Sequence, residues 1–162
     1  MFLRTLLKQK LKKTMEHSNS ITVSTLNGLI AILEDGKLGY VNAAENVEDT
    51  RLKADFLKYS RERAQFVTEL QNEINSLGKS TDEGSGPLGA IHRAWIDFKS
   101  MVTSNDSESV INACLTGEEA AVEKYKLALK QEQLNGDLRT IIAKQLAHIE
   151  GVMVTLKMEK IA

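Results

Sequence analysis

Proline and cysteine each occur once in this chain, and aromatic residues make up only 5% of its 162 positions. Each scarcity excludes something. With one proline, Pro87, long stretches on either side are free of the residue that most reliably breaks a helix. A lone cysteine, Cys114, cannot form an intramolecular disulfide and suits a reducing cytoplasm. It falls on an apolar helical face, where packing and not reactivity is the expected role. No segment alternates apolar and polar residues for long enough to make a strand, so the chain is expected to be all-α. The formal net charge is -1 with 27% charged residues, which gives no global bias toward nucleic acid or acidic membranes. No apolar run is long enough for a membrane span or a signal peptide.

Apolar residues at helical spacing mark five segments. The first covers residues 23–47, with Leu26, Leu29, Ile30, Leu33, Tyr40, Ala44 and Val47 on one stripe. The second covers 50–77, and Gly78 supplies the left-handed residue that commonly closes a helix. The polar, glycine-rich stretch "KSTDEGSGPLG" follows and reads as the main crossover. A shorter helix is expected over 88–103. The next, capped by Ser104 or Asn105 with Glu108 completing a box, should run to about residue 133. Asn135-Gly136-Asp137 then gives a stop and a new N-cap at Asp137 before a last helix over 138–158. Four long helices and one short one, mostly joined by tight turns, predict an antiparallel four-helix bundle over residues 21–162, with the short helix in the crossover.

Residues 1–20 stand apart. "MFLRTLLKQKLKK" holds five basic residues and no acid, with Phe2, Leu3, Leu6, Leu7 and Leu11 at helical spacing. Such a basic amphipathic helix can rest on a membrane surface or dock on a partner through residues 1–14. The alternative is an upstream extension, with Met15 the original start.

"CLTGEEAAVEKY" sets the central problem, because it puts Glu118 and Glu119 in the middle of a helix that should be buried. Charged side chains are rarely buried unless they are paired or bind a metal. The apolar stripe breaks near the midpoint of every long helix. The breaks fall at Glu34, Asp35 and Gly36, at Glu62 and Arg63, at Gly117 and Glu118, and at Gln145 with His148 one turn on. In an antiparallel bundle these midpoints share one height. The arrangement approaches a ferritin-like two-metal site, where carboxylates balance and bridge the ions and imidazoles hold outer positions. Glu34, Glu62, Glu118 and His148 are the candidate ligands for iron or manganese. The template is incomplete, since Gln145-x-x-His148 replaces an acid with an amide and Glu62-x-x-Gln65 lacks an imidazole. Arg63 offers a rival answer, as an internal cation pairing Glu118 and Glu34 in place of metal.

The residues Leu26-Asn27, Asp35-Gly36, Gly39-Tyr40 and Ala43-Ala44-Glu45 open a more specific pattern. Arg63-x-x-Phe66 and Glu69-Leu70-Gln71-x-Glu73-Ile74 continue it. Gly84-Ser85-x-x-x-Gly89-Ala90-x-His92-Arg93-x-Trp95 and Gly117-Glu118-x-x-Ala121-x-x-x-Tyr125 complete it. With these features the chain resembles a bacterial domain-of-unknown-function family of ferritin-like four-helix-bundle proteins, over residues 26–156. Lys79 and Glu119 depart from the family pattern, which more often has glycine and aspartate there. The resemblance implies the bundle fold, a scaffold able to hold iron and, by analogy, a part in stress physiology; it implies no established activity.

His92 and Trp95 project from one face of the short helix, as a docking or proton-carrying site or as packing anchors between small residues. No Cys–His pairing, nucleophile triad or phosphate-binding loop is recognisable, and "GSGPLG" lacks the lysine such loops need. The expectation is therefore a cytoplasmic binding or assembly protein, self-associating, with two-metal redox or storage chemistry as the alternative and peripheral membrane association as a third reading.

Overall fold

A computed structural model describes residues 1–79 and 106–162. Among them lie four helices and no strand: α1 (Phe2–Glu45), α2 (Thr50–Ser76), α3 (Ser107–Leu129) and α4 (Gly136–Ile161). The expected short helix over 88–103, with His92 and Trp95, lies outside the described residues.

Local chemistry sets most of the boundaries. Asp49 caps α2 by accepting a hydrogen bond from the Leu52 amide at 2.9 Å. Asp106 caps α3, accepting from the Glu108 amide at 3.3 Å. At α4 the cap is Asn135, which accepts from the Leu138 amide at 2.9 Å. Asp137 was expected there, but it lies inside the first turn, where its charge suits the positive end of the helix. Gly78 holds φ at 72° and closes α2, as its lack of a Cβ permits. The α3–α4 turn is pinned by Arg139, whose guanidinium donates to the carbonyls of Leu129 at 2.7 Å and Gln131 at 2.5 Å. These bonds end α3 at Leu129, short of the expected residue 133.

The largest departure is near the start. The sequence suggests a separate amphipathic helix at the N-terminus and a new one from residue 23, whereas the two are one helix, α1, which begins at Phe2 and runs for 44 residues without a break. Ser18, Asn19 and Ser20 look like punctuation, but each costs only a few tenths of a kcal/mol in a helix, and no proline or glycine precedes Gly28. Thr5 and Thr14 return their hydroxyls to the carbonyls of Met1 and Lys10, so they expose little unsatisfied polarity. Packing along α1 starts only at Thr22 and Val23.

Two apolar clusters fill the bundle. One joins Leu26, Leu29 and Leu33 of α1 to Leu70 and Ile74 of α2, Tyr125 of α3 and Ile142 and Ile149 of α4. The other joins Tyr40 and Ala43 to Phe56, Val110, Cys114, Val152 and Leu156. The order in which each helix passes through the clusters gives the topology. α1 and α4 run one way and α2 and α3 the other, so α3 starts at the end of the bundle away from the one where α2 finishes, the helix order of a ferritin-like bundle.

Candidate functional site

The junction between the two clusters is polar. Arg63 of α2 is 2% exposed and Glu118 of α3 is 3% exposed, the one fully buried cation and the one fully buried carboxylate among the described residues. Arg63 Nη2 donates to Glu118 Oε1 at 2.7 Å. The Tyr40 hydroxyl of α1 donates to the same oxygen at 2.6 Å. Three helices are thus tied through one atom. Glu119, the neighbouring acid in "GEEAA", points to solvent.

Aromatic rings wall the layer. The Arg63 guanidinium carbon lies 5.9 Å from the centre of the Tyr40 ring and 5.8 Å from that of Phe66, within reach of the negative ring faces. Tyr40 also packs against Phe56 and Tyr59, with centroids 6.0 and 5.3 Å apart. The Arg63 stem packs over Gly36 of α1, where an added Cβ would stand 3.7 Å from its Cγ, an ordinary contact distance.

Electrostatics follow from burial. Desolvation works against the Arg63 charge, but the Glu118 carboxylate, Tyr40 and Tyr125 together outweigh it and the guanidinium's pKa rises. Burial, reinforced by Glu118, pushes the Tyr40 phenol well above its usual range, so it remains a donor. The same two causes raise the Cys114 thiol far above its ordinary value. Asp35, half-buried beside the layer, is lifted to about 6 by desolvation and then by the charge of Glu34. Among the described residues, three buried side-chain atoms have no hydrogen-bond partner: Asp35 Oδ1, Arg63 Nη1 and Glu118 Oε2.

The other candidates fall into separate pairs. Gln145 is buried one turn away, where its Oε1 accepts from the Tyr125 hydroxyl at 2.6 Å and its Nε2 donates to the Phe66 carbonyl at 3.4 Å. Glu62 and His148 meet at the bundle edge, Oε2 to Nε2 at 2.8 Å, with the imidazole edge-on to Phe66. Glu34 turns to its own helix and pairs with Lys37 at 2.5 Å. Among the described residues, no three His, Cys, Asp or Glu side chains gather closely enough to hold an ion. Tyr40 and Tyr125 enter the sequence reading only as apolar stripe and motif positions, not as hydrogen-bonding partners. Their signal is spacing: Tyr40 stands one helical turn after Gly36, and Tyr125 two turns after Glu118, where a buried hydroxyl needs an acceptor.

Fold and layer together define the class, a ferritin-like helical bundle. The chain is similar in fold to a solved mutant of Mycobacterium smegmatis Dps1, with a TM-score of 0.76 at 17% sequence identity, covering 89% of this chain and 97% of that one. Residues 21–131 match the model of the domain of unknown function DUF2383, and the chain belongs to that family. No curated protein matches the sequence.

Proposed function

We propose that this protein acts by binding and assembly, in a stress-related role, and that its central layer is an internal salt bridge standing where ferritin-like relatives could place metal. The observation that carries this reading is the Arg63–Glu118–Tyr40 triad. A two-metal centre asks for several convergent carboxylates and open lone pairs. Here one buried carboxylate already accepts from a guanidinium and a phenol. The residues present do not fit a pair of iron or manganese ions, because a fixed positive charge repels the cations the site would have to admit.

Support for self-association comes from the outer face of α4. Val154, Met158 and Ile161 are exposed by 59%, 66% and 86%, and their spacing puts them on one stripe. Apolar side chains so arranged on a charged surface suit contact with a second copy.

Two measurements test the reading. Light scattering on the purified chain should give a mass above that of a monomer, and a strict monomer at high concentration would overturn the assembly role. Metal analysis of protein prepared without chelator should find iron, manganese and zinc well below one ion per chain. Stoichiometric metal, or tighter metal binding by Arg63→Met, would favour redox or storage chemistry instead.

A further inference from the structure

The first fifteen residues of α1 lie outside the bundle. Phe2, Leu3, Leu7, Leu11 and Met15 are exposed by between 59% and 79%, and Leu6 by 47%. At 1.5 Å per residue, the twenty positions ahead of the packed part of α1 make an arm on the order of 30 Å long.

The arm has a defined pattern. Leu3, Leu7, Leu11 and Met15 follow one another at four-residue spacing and form a ridge. Arg4, Lys8 and Lys12 run along one flank of it, Lys10 stands on the other, and Lys13 projects from the opposite face. Residues 1–15 therefore carry five basic side chains and no acid, whereas the remaining residues hold 16 basic and 22 acidic side chains, a net charge of -6. Charge is segregated onto the arm.

We propose that this arm is an anionic-lipid docking element, lying in the headgroup region with its leucine ridge inward and its lysines against lipid phosphates. No helix among the described residues is long and apolar enough to cross a membrane, so the contact is interfacial. Three observations select a lipid surface over other occupants. Basic residues on both flanks suit a plane in which their stems bury and their ammonium groups reach phosphate. Pairing with the same arm of a second copy would bring five positive charges against five. Two open grooves among the described residues are lined by mixed charges, with Glu119 and Glu123 beside Lys126 in one and Glu119 beside Lys157 and Lys160 in the other. Neither groove offers the uniform negative face that the arm would need.

The test is vesicle flotation of the full chain. Vesicles of phosphatidylcholine with phosphatidylglycerol should carry the protein up the gradient, pure phosphatidylcholine should not, and raised salt should weaken the binding. Lys8→Ala with Lys12→Ala should lower partitioning by about thirty-fold, at roughly five-fold per lysine near an anionic surface. Leu7→Glu with Leu11→Glu should lower it by at least about ten-fold, because it places charge in the inserted ridge. All four positions are exposed, so far-UV circular dichroism and unfolding midpoints should not change. Absence of flotation with phosphatidylglycerol, or equal flotation by the leucine variant, would overturn the proposal. So would a finding that the leucine variant abolishes self-association in lipid-free solution while the parent chain ignores vesicles, since the occupant would then be a second copy.

Discussion

Replacing Arg63 by methionine is the sharpest perturbation of the layer. Methionine fills much of the arginine stem's volume, so the change removes charge with little cavity. Glu118 would then be a carboxylate 3% exposed to solvent, with the Tyr40 hydroxyl as its remaining partner. Breaking a buried pair by deleting one member costs about 3–5 kcal/mol, because the survivor's charge stays uncompensated. In a chain of this size that is a loss of roughly 6–20 °C in unfolding midpoint. Removing the charges together should behave differently. Arg63→Met, Glu118→Leu and Tyr40→Phe combined should lie within about 1 kcal/mol of the parent or be more stable, since apolar packing often equals or exceeds a buried ion pair. Urea unfolding followed by circular dichroism, on the singles and the triple, gives the coupling directly. A single-variant loss below about 1 kcal/mol, or a triple variant as unstable as the sum of the singles, would refute the view that the charges depend on one another.

Three smaller predictions follow from neighbouring residues. Asp35 has its folded pKa raised from 3.8 to about 6, so its contribution favours the fold below pH 4 and declines as pH rises toward 6. Asp35→Asn should flatten that part of the stability profile and stabilise the protein at neutral pH by about 1 kcal/mol, the full two-unit effect being reduced by solvent screening at a half-buried site. Gly36→Ala should raise stability by about 1 kcal/mol, because the added methyl meets the Arg63 stem at ordinary contact distance and alanine is the better helix former; a loss measured by urea unfolding would show the arginine has less room than its position indicates. Cys114, buried and with its thiol pKa raised, should resist thiol reagents in the folded protein and react fully in denaturant, and rapid labelling of native protein would contradict its burial.

The helices were legible because the apolar period is long and uninterrupted by proline, and the inward turn of Glu118 because the α3 stripe would otherwise break without cause. Arg63 was readable for the same reason. The fate of Glu34 and Glu62 was not. A carboxylate at the margin of a stripe can turn inward or toward a local partner, and the sequence offers both. Glu34 has Lys37 three residues on. Glu62 has Lys58 one turn back, 3.9 Å away, as well as His148 across the interface. What periodicity missed is a junction. The N-terminal amphipathic helix and the helix from residue 23 read as two, because no apolar stripe runs through Ser18, Asn19 and Ser20, and propensity alone joins them into α1.

That continuity makes α1 a lever. From Phe2 to the layer at Gly36 and Tyr40 the rod has no proline joint, so its outer third and its packed part share one axis. Whatever grips the arm therefore also sets the attitude of the bundle, and a surface that holds the arm flat would lay the bundle on its side.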